Sequence, residues 1–155
     1  MCSIISSNKY GSLYKLNNPY IIKINNSKTP FGIQKSYNRK LIHWYIKDFN
    51  DIKLINHFKE DINNNILNKI INTSDLSINT KLSKKDNFPF LLETIINPNI
   101  SSSDCIKHSP GEIITYDDII KGLNANIIIE CSTISINNNV VNMIWYINNI
   151  EIIVR

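Results

Sequence analysis

The sequence predicts a mainly β fold with one inserted helix, and three observations predict it. The C-terminal third is a series of apolar, β-branched segments, Asn126–Ile136, Val140–Ile147 and Ile150–Val154, separated by asparagines. Residues Leu41 to Lys47 alternate with the period of a half-buried strand. Only Asp51 to Ile71 carries the three- and four-residue apolar spacing of an amphipathic helix. Five to seven strands and one helix are best satisfied by a small closed or partly open β-barrel, because closure removes exposed edges. The runner-up is an antiparallel sheet with one packed helix, an α+β arrangement. At 155 residues, 43% hydrophobic and 19% charged, the chain reads as a single domain, 1–155, with enough apolar material for a modest core.

Along the chain, Leu13–Leu16 and Tyr20–Ile24 are short strands separated by the turn signal Asn17-Asn18-Pro19. Thr29-Pro30-Phe31-Gly32 is a further turn or a strand entry. In Leu41–Lys47 one face carries Ile42, Trp44 and Ile46, which makes Trp44 a core residue, and the other carries Leu41, His43, Tyr45 and Lys47. The helical stripe is Ile52, Ile55, Phe58, Ile62, Ile66 and Ile70, with Asn50 as its expected N-cap. Residues 72–87 are polar and read as a loop. Pro89–Ile96 is a strand, and the stretch from Ser101 to Pro110-Gly111 is a second loop. Thr115-Tyr116-Asp117-Asp118 has the form of a capping box opening one helical turn through Lys121, closed by Gly122. The final three segments, joined at Asn137-Asn138-Asn139 and Asn148-Asn149, read as a meander, since asparagine tolerates the positive φ of tight hairpins. Val141, Met143, Trp145 and Ile147 share a face, which puts Trp145 in the core.

The chain holds 33 Ile and 25 Asn against one Ala and two Arg. Such a skew follows from a strongly A/T-biased genome, such as that of a parasite, symbiont or insect-associated virus, and it dilutes Ile as a strand signal and Asn as a turn signal. Three cysteines (Cys2, Cys105, Cys131) form no Cys-x-x-Cys pair and no disulfide framework, which fits free thiols in a reducing compartment. No apolar run reaches membrane-span length, and the first residues lack the pattern of a signal peptide, so an intracellular protein with no membrane partner is expected.

Net charge is +4, unevenly placed. Residues 1–60 hold ten basic groups against three acids, or +7, and the remainder holds seven against ten, or −3. Nine of the fourteen aromatics share that basic stretch: Tyr10, Tyr14, Tyr20, Phe31, Tyr37, Trp44, Tyr45, Phe49 and Phe58. Cations neutralise phosphates and rings stack on bases, so interleaved lysines and aromatics supply both parts of a single-strand nucleic-acid groove. A solvated lysine face over an ordinary aromatic core is the bland alternative.

Motifs for catalysis are weak. Cys105 and His108 make an isolated C-x-x-H with no second ligand pair for zinc, and no orienting third group for nucleophilic chemistry. Asp117 and Asp118 are explained by capping. Four isolated glycines give no phosphate-cradling loop. No enzyme, cofactor or metal site is expected.

Two stretches together resemble a family. Thr29-Pro30-Phe31-Gly32-Ile33, followed by the Leu41–Ile46 strand and the helix through Ile66, resembles the N-terminal signature of OB-fold single-stranded-DNA-binding proteins of large nucleocytoplasmic DNA viruses, relatives of the phage replication-type proteins. Ile120-Lys121-Gly122, an apolar strand, then Val141-Asn142-Met143-Ile144-Trp145 and a short last strand resemble that family's ending. The resemblance implies an OB-like barrel and a role in viral replication or repair. The 72–87 and 97–110 connections depart from the family pattern, and the long acidic tail that phage-type members use for partner contacts has no counterpart before Val154-Arg155.

The expected function is therefore non-enzymatic, sequence-tolerant single-stranded DNA binding. Lys28, Lys35, Arg39, Lys40 and Lys47 are the candidate phosphate contacts, and Tyr37, His43 and Tyr45 the candidate stacking rings. A homo-oligomer and replication proteins are the further partners left open. Two rivals are a viral structural or host-interaction β-sandwich, and a small hydrolase using Asp117, Asp118 or His108.

Overall fold

The computed structural model describes residues 2–8 (backbone only), 11–67, 76–107 and 115–153. The fold is mainly β with one main helix, as expected. The strands are β1 (Cys2–Asn8), β2 (Gly11–Lys28), β3 (Ile33–Ser36), β4 (Arg39–Ile46), β5 (Ser77–Asn79), β6 (Leu82–Ser83), β7 (Phe90–Ile96), β8 (Ile106–Lys107), β9 (Asn124–Asn137) and β10 (Val140–Ile152). Helix α1 (Phe49–Asp61) runs into a π-helical turn (Ile62–Ile66), and α2 is the short Ser102–Cys105.

All ten strands belong to one sheet, ordered β1-β2-β9-β10-β7-β4-β3, with β5 and β8 on β10 and β6 on β7. The sheet is mixed: β10 runs parallel to β5, β7 and β8. This corrects the purely antiparallel runner-up, and one continuous sheet is not the two-sheet stack of a sandwich. The five long strands β2, β4, β7, β9 and β10 follow one another across the sheet as first, fourth, fifth, third and second in the chain. No ladder joins β2 to β4 among the described residues, yet the Ser27 hydroxyl at the end of β2 donates to the Tyr45 carbonyl of β4 at 2.7 Å. Strands with three others between them therefore touch, so the sheet curls into a partly open, five-stranded barrel of OB-like form.

Bulges allow the curl. Between Lys15 opposite Thr133 and Tyr20 opposite Cys131, β2 advances five residues while β9 advances two. The Asn17-Asn18-Pro19 signal is thus a bulge within one 18-residue strand, where proline's missing N–H breaks no ladder bond. Asn148-Asn149 is likewise no hairpin. β10 continues through it with one extra residue, and the Asn148 amide donates to Glu130 at 3.1 Å. The β9–β10 hairpin lies where expected, its loop Asn138-Asn139 having φ of 49° and 63° as a type I′ turn requires.

Ile52, Ile55, Ile62 and Ile66 of the helical stripe are buried, with Phe58 partly so. The cap is Asp48, two residues earlier than Asn50, its carboxylate accepting the Asn50 N–H at 2.9 Å. The Asn63-Asn64-Asn65 run falls in the π-helical turn. Tyr20 anchors the far end of α1: its ring stacks on Phe58 at 4.4 Å and its hydroxyl donates to Asp61. Trp44 and Trp145 are both core residues, at 0% and 1% exposure, as expected. Their indole N–H groups donate to Thr94 Oγ1 at 3.1 Å and the Thr80 carbonyl at 2.9 Å. The expected loops contain β5 and β6 in one case, α2 and β8 in the other. Ile70, Ile71, residues 72–75, His108, Pro110, Gly111 and Val154 lie outside the described residues. The capping box at Thr115 is present, with Asp118 accepting the Thr115 N–H at 2.8 Å. No helix among the described residues is long and apolar enough to cross a membrane.

Candidate nucleic-acid interface

With Ile42, Trp44 and Ile46 in the core, alternation sends Arg39, Leu41, His43 and Tyr45 to the other face, and Lys47 follows just past the strand's end. Arg39 and Lys47 stand about 26 Å apart at roughly 3.3 Å per residue. The ladder carries this face sideways. His43 lies opposite Glu93 and Leu41 opposite Ile95 of β7, and Ile95 lies opposite Tyr146 of β10.

Arg39 is exposed and has no carboxylate partner among the described residues. It borders three clefts, of about 490, 470 and 370 Å³. The largest reaches from Arg39 past Glu93 to Asn137 and Asn142 beside the β9–β10 hairpin. His43 Nδ1 lies 2.8 Å from Gln34 Oε1, where its N–H donates, and Nε2 lies 3.7 Å from Glu93. Burial pulls the His43 pKa below its ordinary value more strongly than Glu93 raises it, so at pH 7 the ring is neutral. It offers a stacking surface rather than a cation. Tyr45 is half-buried, and Lys47 is exposed. Tyr37 stands at the tip of the β3–β4 hairpin with its ring fully exposed and φ at +55°.

Three expected contacts lie elsewhere. Lys35 and Lys40 face each other across the hairpin, on the side of Ile33 and Ile42, away from Arg39 and His43. Lys40 is held by Asp117 at 3.3 Å. Lys28 is half-buried at the end of β2, opposite Asn124. The structure thus puts Arg39, His43 and Tyr45 on one face of β4, with Lys47 just past its end and Tyr37 at the hairpin tip, while Lys35 and Lys40 take the opposite face of the hairpin and Lys28 lies at the end of β2. Of the other N-terminal rings, Tyr14 and Tyr20 are in the core and Phe49 is exposed beneath Lys53. Tyr10 lies outside the described residues.

Sequence reasoning missed four members of this face. Phe31 is 52% exposed and packs edge-on against His43 at 5.8 Å. A large ring between Pro30 and Gly32 was the available signal for it. Lys81 sits 3.7 Å from Glu93. Lys81, Glu93 and Tyr146 reach the face only through non-local strand pairing, which leaves no local signature.

Of the groups weighed for catalysis, Asp117, Asp118 and Cys105 lie among the described residues and His108 does not. Asp118 caps its own turn and Asp117 pairs with Lys40. Cys105 is fully buried, and burial pushes its thiol up from the ordinary range. No cluster of three metal-ligating side chains occurs among the described residues. Compared with known proteins, the chain matches no family model and no curated protein.

Proposed function

We propose that the chain is a non-enzymatic protein that binds single-stranded DNA with little sequence preference. The observation that carries this reading is the outward face of β4, where Arg39 and Lys47 bracket His43 and Tyr45, with Phe31 and Tyr37 alongside. In OB-like barrels the face of the second and third strands, with the loops joining strands one to two and four to five, is where oligonucleotides lie. Here those strands are β4 and β7, the first loop carries Phe31 and Tyr37, and the largest of the three clefts at Arg39 runs toward the second loop at Asn138-Asn139. The cations would neutralise phosphates and the rings would stack on any base, which accounts for sequence tolerance. Glu93, an acid on this face, is balanced by Lys81. The resemblance of the two motifs adds the setting, replication or repair of a viral DNA genome, with replication proteins as partners.

Fluorescence titration with oligo-dT across a salt series tests this. Affinity should fall steeply with salt, and Arg39→Ala should reduce the slope by about 0.7. Lys40→Ala, removing an ammonium already held by Asp117, should change it less. Tyr45→Ala should cost about 1–3 kcal/mol, alike for dT, dA and dC oligomers. Absence of binding, or binding that ignores salt, overturns the reading.

A further inference from the structure

We infer that the cleft between the start of β4 and the end of β7 holds one unstacked base of the bound strand, walled by Tyr146 and Tyr116, with Arg39 as the phosphate contact at its mouth. This rests on the single-strand-binding reading and deepens it. The cleft measures about 370 Å³ and lies within the range of small-molecule sites. Ile95, Ile96, Pro98 and Ile100 line it together with the two tyrosines, a surface suited to a flat heterocycle. Tyr116 is held in place twice: its hydroxyl donates to the Ile100 carbonyl at 3.0 Å, and its turn is closed by the Thr115–Asp118 cap. Tyr146 is half-buried, and its hydroxyl has no hydrogen-bond partner among the described residues.

The polar groups at the mouth are Asn38, Arg39, Lys40 and Asn97. Asp117 occupies Lys40, which leaves Arg39 as the available cation. Because Arg39 borders all three clefts, a backbone passing it from the β4–β7 face can turn one base inward without leaving the cation. Asn97 Oδ1 already accepts the Asn99 N–H at 3.0 Å, so its NH₂ is the part turned toward a base carbonyl. Walls of aliphatic and aromatic groups select for a ring rather than for a particular base, which keeps the site compatible with sequence tolerance.

The test titrates the intact chain, labelled on its tyrosine rings for NMR, with thymidine 3′,5′-bisphosphate, with inorganic phosphate and with oligo-dT. The expected result is saturable movement of the Tyr116 and Tyr146 signals by the nucleotide and the oligomer, and none by phosphate at equal concentration. Tyr146→Ala should weaken nucleotide binding about tenfold, and Tyr146→Leu, which keeps the apolar volume, should weaken it as well. Oligo-dT binding that leaves both tyrosines unmoved overturns the pocket and leaves the wider function standing. Equal movement by phosphate reduces the cleft to an anion site and also overturns it. Absence of oligo-dT binding overturns both.

Discussion

Tyr37 combines two unfavourable properties. A left-handed conformation costs a non-glycine residue about 1–2 kcal/mol, and its φ of +55° lies there. Its ring is fully exposed, so packing returns nothing. Tyr37→Gly should therefore raise stability by about 1 kcal/mol in urea denaturation while weakening oligonucleotide binding. Unchanged affinity would remove Tyr37 from the interface. His43 makes a pH prediction. Its folded pKa lies below the unfolded value near 6.5 because burial dominates, so on acidification the unfolded chain takes the proton first. The stability this residue contributes is complete above about pH 6.5 and is lost as pH falls through its folded pKa. Urea midpoints should drop across that window, and His43→Gln should remove that part of the drop.

At the scale of elements, the two stretches that carry the family resemblance form one backbone clasp. The Thr29 N–H donates to the Leu123 carbonyl at 3.0 Å, the Gly122 N–H to the Thr29 carbonyl at 2.7 Å, and the Ile33 N–H to the Ile119 carbonyl at 3.0 Å. The Gly32 N–H closes the turn on Thr29 Oγ1 at 3.1 Å. Gly32 has φ of +67°, and a Cβ there would stand 2.7 Å from the Ile119 carbonyl oxygen. Gly122 has φ of +87° with nothing within 4 Å. Gly32→Ala should thus cost more than the roughly 1–3 kcal/mol of backbone strain alone, and Gly122→Ala no more than that strain. Denaturation of the two variants side by side checks the difference. Equal losses would show that contact with the 119–121 backbone adds nothing.

For the whole molecule, the curl of the sheet relates core to surface: burying Ile42, Trp44 and Ile46 in the core shared with β2, β9 and α1 is what turns Arg39, Leu41, His43 and Tyr45 outward. A ligand that binds only the folded face must then stabilise the whole barrel. Oligo-dT at 100 times its Kd should add about 2.7 kcal/mol to unfolding stability. At the same oligomer concentration Tyr45→Ala should lose about 1–2.4 kcal/mol of that gain. A gain that survives the substitution would place the ligand elsewhere.

Local pattern alone determined the alternation of β4, the helical stripe, the two buried tryptophans and the Asn138-Asn139 hairpin, because each depends on neighbours within a few residues. The asparagine signals show where that information stops. Asn17-Asn18, Asn137–Asn139 and Asn148-Asn149 look alike in the chain, yet one is a hairpin and two are bulges, since whether a strand reverses or continues is settled by the partner strand it finds. Charge density in the first 60 residues pointed to a basic, ring-bearing surface, but it could not tell Arg39 from Lys40. Only the tertiary structure did so, by setting Asp117, 77 residues along the chain, beside Lys40 and leaving Arg39 at the junction of three clefts. The physical reason is that a side chain's face is set by local period, whereas its partners are set by which distant strands the sheet brings alongside.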